Sequence, residues 1–291
     1  MDINYELYKV FYYVATTLSF SEAANQLYIS QSAVSQSIKT LEKKLDQTLF
    51  IRSTKKVQLT PQGEILLRHV EPAINLILRG EAHLIDATKS GGQIRIGASD
   101  TICRYFLVPY LEKFHKLFPD AHIKVTNATS IRCAELLESG QVDLIVVNTP
   151  NTYLGTHCTI NKLCSFHDVF IANESFADLK NRKLTLKQLL DYPLLMLERK
   201  STTSEFLHSV FQQRQLDLVP AVELASNDLL IDLACIGLGV AFVPDYCIKN
   251  RDDLFVVDTK EELPKRELAI AYNNQIPASK ATLAFLDLFN D

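Results

Sequence analysis

The sequence predicts an α/β protein made of a helix-rich N-terminal region and a larger region in which strands alternate with helices. Three observations support this fold class. Apolar residues recur at helical spacing through the first 45 positions, a long helical segment then ends at Ser90-Gly91-Gly92, and short β-branched runs alternate with amphipathic segments from residue 93 onward. The last pattern is typical of a parallel sheet covered by helices, and 291 residues suffice for two or more domains.

Three helices are predicted in the N-terminal region. The first buries Leu7, Val10, Phe11, Val14 and Leu18, and the third buries Val34, Ile38, Leu41 and Leu45. Between them a short helix contributes Ala23 and Ala24, whose small side chains allow close packing, and its N-cap is either Ser19 or Ser21. Ser30 is the predicted N-cap of the third helix. Two helices joined by such a tight turn form a helix-turn-helix.

The third helix has a polar face opposite its buried stripe. This face carries Gln31, Ser32, Ser35, Gln36 and Lys39. Glutamine can pair bidentately with adenine, serine with several bases, and lysine with guanine or a phosphate. These residues stand at the start of the helix, where a recognition helix meets base edges in the major groove of DNA. The alternative is an ordinary helical bundle whose polar face is only solvated.

A hairpin with a basic tip follows the third helix. Two short strands, 49–52 and 57–60, flank a turn at 53–56, and a hairpin in this position is a wing. The cations that can neutralise backbone phosphates there are Arg52, Lys55 and Lys56. Residues 31–60 include six basic and two acidic side chains, against a net charge of −4 for the whole protein. This local positive charge favours double-stranded DNA as the partner.

The N-terminal sequence resembles the winged helix-turn-helix of LysR-type bacterial transcriptional regulators. The segments that carry the resemblance are SFSEAANQLYISQSAVSQSIKTLEKKL (19–45), LFIR (49–52) and LTPQGE (59–64). Two positions depart from the family pattern: Asp46 replaces the usual glycine after the recognition helix, and Ser32 replaces a frequent proline. The resemblance implies a sequence-specific transcriptional regulator that binds dyad-symmetric promoter sites.

A long helix is predicted after the hairpin, because Thr60-Pro61 provides a threonine cap and a proline at the first helical position. Its apolar residues are Leu66, Val70, Ile74, Ile77 and Leu84, and Pro72 is expected to kink it. It can be a core helix of one domain. The resemblance instead implies a linker that pairs with a second copy in a dimer or tetramer, so we assign 1–60 to a DNA-binding domain and 61–90 to a linker helix.

Residues 91–291 resemble the LysR effector-binding domain, which is similar in fold to type 2 periplasmic solute-binding proteins. The resemblance implies two α/β lobes around a cleft, with the chain crossing between them twice. On this basis lobe I comprises 93–160 and 266–291, and lobe II comprises 161–265. The resemblance also implies a small-molecule effector in the cleft and RNA polymerase as a further partner.

Candidate effector ligands lie at the carboxyl ends of the predicted strands, where open α/β sheets bind their ligands. They are polar residues close to helix starts: Ser99, Asp100, Thr101, Thr129, Asn148, Thr202, Thr203 and Asn227. Free backbone N–H groups and hydroxyls at a helix start favour an anion such as a carboxylate. The alternative is that these Ser and Thr residues only cap helices. Ser201-Thr202-Thr203 stands where the peroxide-sensing branch of the family has a reactive cysteine, which favours small-molecule sensing over thiol oxidation.

Other function classes have less support. GxSxG, Walker A, HExxH and dinucleotide-binding motifs are absent, so we expect no enzyme, no cofactor and no metal. The six scattered cysteines are expected to be reduced and mostly buried, and a redox role for Cys158 and Cys164 stays open. Without a transmembrane-length apolar run or a signal-peptide pattern, we expect a cytoplasmic protein that contacts no membrane. The DNA-reading head argues against a transport-type binding protein, whereas a coregulator without DNA contacts stays an alternative.

Overall fold

The structure is a computed structural model that describes residues 3–52, 56–86, 92–249 and 251–290. The chain divides into two compact units: an N-terminal unit, Met1–Ile85 with Ser139–Gln141, and a C-terminal unit, Asp86–Glu138 with Val142–Asp291. The N-terminal unit is helical with one hairpin and the C-terminal unit is mixed α/β, so the predicted fold class is confirmed. No helix in the described ranges is both long and apolar enough to cross a membrane.

The helices and strands of the N-terminal unit follow the predicted order. They are α1 Tyr5–Thr17, α2 Phe20–Leu27, α3 Gln31–Leu45, β1 Phe50–Arg52, β2 Val57–Leu59 and α4 Pro61–Asp86. The N-cap of α2 is Ser19, whose side chain accepts from the Glu22 N–H, and not the alternative, Ser21. Ser30 caps α3 and accepts from the Ala33 N–H at 3.2 Å. Asp46 ends α3 at φ 51°, the left-handed conformation for which the family uses glycine.

Contacts of Thr60 and Gly63 explain the LTPQG motif at residues 59–63. Thr60 Oγ1 donates to the Thr48 carbonyl oxygen at 2.7 Å and accepts from the Gly63 N–H at 3.0 Å, so it both caps α4 and anchors it to the hairpin. A Cβ on Gly63 would overlap the Leu49 carbonyl oxygen and lie 2.9 Å from Leu59 Cδ2. Because of this contact, α4 can start so close to the hairpin only with glycine at this position.

The two halves of α4 differ in burial. Val70 and Ile74 pack into the core of the N-terminal unit with α1, α2 and α3. Further along, Ile77 and Leu84 are 44% and 74% exposed. The interpretation as a core helix therefore describes the first half of α4, and the second half presents an apolar surface.

The C-terminal unit alternates strands and helices from its first strand onward. Its strands are β3 Gln93–Ala98, β4 His122–Asn127, β5 Leu144–Thr149, β6 Cys158–Phe166, β7 Asp168–Ala172, β8 Leu194–Leu197, β9 Val222–Leu224, β10 Val240–Pro244, β11 Phe255–Val257 and β12 Arg266–Asn273. Its α-helices are α5 Asp100–Ile102, α6 Val108–Leu117, α7 Ser130–Glu138, α8 Leu186–Leu189, α9 Thr202–Gln212, α10 Asn227–Cys235 and α11 Lys280–Asp287. A π-helical segment, Cys103–Leu107, joins α5 to α6.

The strands form two five-stranded sheets, one in each lobe. Their orders are β4-β3-β5-β12-β6 and β11-β7-β10-β8-β9, each with a parallel core and antiparallel strands. The chain leaves the first sheet after β6 and returns to it at β12. The expected start of lobe II at residue 161 is wrong, because β6 stays paired with β12 as far as Phe166 opposite Arg266. The first crossing therefore lies between Phe166 and Asp168.

Candidate DNA interface and effector cleft

The polar face of α3 is accessible. Four of the five side chains on α3 that are predicted to contact DNA are exposed, and the fifth, Ser35, is half-buried. The exposed ones are Gln31, Ser32, Gln36 and Lys39. The opposite face, formed by Val34, Ile38 and Leu41, has 0% exposure. The helix therefore presents amide, hydroxyl and ammonium groups outward from a rigid core, and these groups can hydrogen-bond to base edges.

Glu42 connects α3 to the hairpin, a role that sequence analysis missed. Its Oε1 accepts from the backbone N–H groups of Leu49 at 2.9 Å and Phe50 at 3.3 Å. Its Oε2 pairs with Arg52 Nη2 at 3.2 Å, and the guanidinium lies 4.7 Å from the centroid of the Phe20 ring. The available signal in the sequence was a lone carboxylate on a basic helix, seven residues before the predicted strand 49–52. Glu42 thus fixes the direction in which the hairpin leaves α3.

The predicted phosphate ligands of the hairpin differ in their surroundings. Arg52 is held by Glu42 and Phe20, with one third of its side chain exposed, so its charge is already partly compensated. Lys56 is exposed at the start of the second strand. Lys55 and the rest of the predicted tip, residues 53–55, lie outside the described residues.

A cavity of about 400 Å³ lies between the two lobes of the C-terminal unit. All the predicted effector ligands line it: Ser99, Asp100, Thr101, Thr129, Asn148, Thr202, Thr203 and Asn227. They come from separate chain segments of both lobes. Sequence analysis missed other lining residues, among them Asn127, Glu198 and Tyr246. The Tyr246 hydroxyl is buried without a partner in the described part of the chain, and burial raises the pKa of this phenol well above its ordinary value.

Helix N-termini converge on this cavity. The hydroxyls of Ser99, Thr129, Ser201 and Ser226 each accept from a backbone N–H three residues later, at 3.1 to 3.3 Å. The predicted capping role of such hydroxyls is therefore present. Capping uses one N–H of each first turn and leaves earlier ones without an intrahelical acceptor. The dipoles of the helices that start here give the cavity wall a partial positive charge.

Formal charges at the cavity have the opposite sign. Its lining includes the carboxylates of Asp100 and Glu198 and, among the described residues, no Lys or Arg. Arg104 lies 3.4 Å from the Asp228 carboxylate, and Arg132 pairs with Glu135, so both guanidinium groups already have an acidic partner. An anion in this cavity would therefore rely on N–H and O–H donors instead of a neighbouring cation.

The two lobes are hydrogen-bonded to each other beside the cavity. Asn227 Nδ2 donates to Thr101 Oγ1 at 3.0 Å, so two of the predicted effector ligands are partners. The Tyr105 hydroxyl donates to Asp228 Oδ1 at 2.8 Å. Burial, and then this bond to a carboxylate, raise the pKa of Tyr105 to about 12, which keeps it protonated as a donor. These bonds hold the N-terminus of α10 against lobe I.

A buried ion pair lies behind the cavity, and sequence analysis missed it. Arg266 Nη1 donates to Asp168 Oδ2 at 2.8 Å, and the two side chains are 1% and 0% exposed. The same guanidinium donates to Thr203 Oγ1 at 2.9 Å and to Thr202 Oγ1 at 3.1 Å. The signal in the sequence was a charged residue at the first position of each of two apolar strands, β7 and β12.

A winged helix-turn-helix followed by a long helix and a two-lobed α/β unit with a cavity defines a class of protein: regulators that carry a DNA-reading head and a ligand-sensing domain in one chain. The chain belongs to the LysR family. The family model described as "LysR substrate binding domain" matches residues 87–291, and "Bacterial regulatory helix-turn-helix protein, lysR family" matches residues 5–64. The predicted resemblance is confirmed, and the protein is a LysR-type transcriptional regulator with an effector-binding domain.

One relative supports this assignment by sequence, and two solved structures share the fold. A "Probable RuBisCO transcriptional regulator" of Phaeodactylum tricornutum (strain CCAP 1055/1) is 31% identical over 92% of this chain and 90% of its own. The crystal structure of full-length CbnR complexed with its target DNA is similar over 99% of both chains, with a TM-score of 0.66 and 18% identity. The Synechocystis PCC6803 CcmR regulatory domain in complex with 2-PG covers 68% of this chain and 95% of its own, with a TM-score of 0.61 and 20% identity.

Proposed function

We propose that α3 reads base edges through Gln31, Ser32, Ser35 and Gln36, while Lys39, Arg52, Lys55 and Lys56 hold phosphates. The support is the accessible polar face of α3 above a buried stripe, with a hairpin fixed beside it by Glu42. CbnR, which has the same fold, was solved on its target DNA. Base contacts then specify the sequence, and the cations set affinity and orientation.

The regulator acts as a dimer or tetramer on dyad-symmetric promoter sites. The support is the second half of α4, where Ile77 and Leu84 are exposed seven residues apart and so lie on one helical face. A helix that buries such a face against a second copy would place two copies of α3 on two half-sites. The boundaries 1–60, 61–90 and 91–291, the cytoplasmic location and a contact with RNA polymerase stay predictions.

The cavity binds a small effector that carries a carboxylate or a similar oxyanion. The single observation that carries this proposal is the convergence of the predicted ligands from both lobes on one cavity of about 400 Å³. The N–H donors at the helix starts supply the anion recognition. CcmR, whose regulatory domain has this fold, was solved in complex with 2-PG. Effector binding regulates DNA binding by favouring one of two lobe arrangements, which requires different affinities for the two.

Two measurements on the full chain test these proposals. Selection from random-sequence DNA should yield a dyad-symmetric site, and Gln36→Ala should relax its sequence preference while Lys124→Ala on β4 leaves it unchanged. Binding to a promoter fragment that neither Gln36→Ala nor Lys39→Ala changes would favour the coregulator alternative. Melting-temperature shifts against metabolites should be largest with small carboxylates. A rise only with sugars or aromatics would reject the anion assignment, and a rise with no compound of any class would reject the effector site.

A further inference from the structure

The buried guanidinium of Arg266 lies where the chain crosses between the lobes. Asp168 is the first residue of β7, directly after the first crossing, and Arg266 is the first residue of β12, directly after the second. Their ion pair therefore ties the two crossings together within a region excluded from water. The aromatic rings of Phe166 and Phe206 lie 5.5 and 5.1 Å from the guanidinium carbon, one from each lobe. These contacts leave the guanidinium little freedom to move.

From this fixed position Arg266 also determines which hydrogen bonds the side chains in the first turn of α9 can make. Its Nη1 and Nη2 donate to the hydroxyl oxygens of Thr203 and Thr202, both of which line the cavity and are under 10% exposed. A guanidinium can only donate, and a hydroxyl has one proton and two lone pairs. Each threonine therefore uses a lone pair on Arg266 and keeps its proton for another acceptor. In the described ranges, neither hydroxyl donates to a protein acceptor.

We propose that Arg266 is a positioning residue for the effector: it fixes the Thr202 and Thr203 hydroxyls as donors, so the effector group that meets α9 is a hydrogen-bond acceptor such as a carboxylate. This inference rests on the proposed effector site. It goes further because it assigns a polarity to one wall of the cavity and names the residue that imposes it. Lysine could not replace Arg266, since a single ammonium lacks the planar fork that serves both hydroxyls and Asp168.

The test uses the full chain and three probes: succinate, inorganic phosphate and succinamide, the uncharged diamide of succinate. Calorimetric titration should show that succinate or phosphate binds at least tenfold more tightly than succinamide. The Thr202→Val/Thr203→Val double variant should lose about tenfold or more in succinate affinity. Thr202→Ser/Thr203→Ser, which restores both hydroxyls, should recover it. Thr149→Val is the matched control, because its hydroxyl donates to the Glu267 carbonyl oxygen and does not line the cavity.

Arg266 itself is tested by a double-mutant cycle. Arg266→Lys should weaken succinate binding about tenfold in the wild-type background and hardly at all in the Thr202→Val/Thr203→Val background, because it acts through those hydroxyls. An equal loss in both backgrounds would show a merely structural role and overturn the proposal. If Arg266→Lys does not fold, Asp168→Asn enters the same cycle, and circular dichroism identifies the folded variants.

The remaining outcomes separate this inference from the proposed function. If wild type binds neither anion but sugars or aromatics raise its melting temperature in the metabolite screen, the cavity is an effector site and the acceptor assignment is wrong. If succinate binds and the valine variant binds it equally well, the anion lies elsewhere in the cavity and Arg266 positions nothing for it. If no compound of any class binds, the proposed effector site itself is wrong.

Discussion

The two units hold the polar side chains that we propose to contact DNA and effector in opposite ways. On α3 these side chains are exposed apart from the half-buried Ser35, and the framework that orients them is close in sequence, since Glu42, Thr60 and Gly63 all act on the same hairpin. In the cleft they are mostly buried, and several are bonded to protein partners distant in sequence: Asn227 and Thr101 are 126 residues apart. A surface that reads a polymer needs a rigid local scaffold. A cavity that selects a small molecule needs donors and acceptors oriented from several chain segments.

Among the variants that test the local scaffold of the N-terminal unit, substitution of Gly63 is expected to have the largest effect on stability. Gly63→Ala should destabilise the N-terminal unit by about 3 kcal/mol, because the new Cβ would overlap the Leu49 carbonyl oxygen. Hydrogen exchange of the α3 amides would measure the loss. Gly80 is the matched control on the same helix: no described atom lies within 4 Å of the point where its Cβ would stand, so Gly80→Ala should stabilise α4 by up to about 1 kcal/mol. Equal exchange rates in both variants would refute the proposed role of Gly63.

The next effect is expected at Glu42, which tests whether the hairpin depends on a single carboxylate. Glu42→Ala should cost about 2 kcal/mol, because it removes the acceptor for two backbone N–H groups and the partner of Arg52. Glu42→Gln keeps one acceptor oxygen and should cost less. Glu22→Ala on the exposed side of α2 serves as the control. Urea unfolding, monitored by circular dichroism, measures the order of stability of these variants. A glutamine variant as unstable as the alanine variant would contradict the proposed role of Glu42.

A smaller effect, on binding alone, is expected from the hairpin lysines. Replacing Lys55 and Lys56 by alanine should weaken binding to all DNA sequences alike and make the slope of log affinity against log salt about 2 units less steep. Sequence preference should not change, because phosphate contacts carry no base information. Filter binding at several salt concentrations measures this slope. Lys124→Ala is the control and should leave the slope unchanged. The same unchanged slope in the Lys55 and Lys56 variant would show that the hairpin does not contact DNA phosphates.

The same contrast explains how much could be predicted from the sequence. The cap Ser30 and the start of α4 at Pro61 follow from neighbouring residues, so the sequence pattern located them, whereas it left Ser19 and Ser21 as alternative caps of α2. Residues that line the cavity could be predicted because each stands at the end of a strand or the start of a helix. The pairing of Arg266 with Asp168 could not, since it depends on two chain crossings, and for the same reason the first crossing was expected too early.

Modification of the cysteines is expected to have the smallest effect on DNA binding. All six cysteines belong to the C-terminal unit. Burial raises the pKa of Cys133 to about 12 and, with a smaller contribution from the nearby Asp100 carboxylate, that of Cys103 to about 11. At pH 8 their thiolate fractions are then on the order of 10⁻⁴ and 10⁻³, so both should be alkylated far more slowly than an unperturbed thiol. Cys164 is exposed on β6, at the edge of the first sheet, and should react first. Mass spectrometry after timed iodoacetamide treatment gives the order. Early labelling of Cys133 would contradict this order and show that lobe I opens far enough to expose its core. Because the thiolate is the reactive form, mild oxidation should leave DNA binding unchanged.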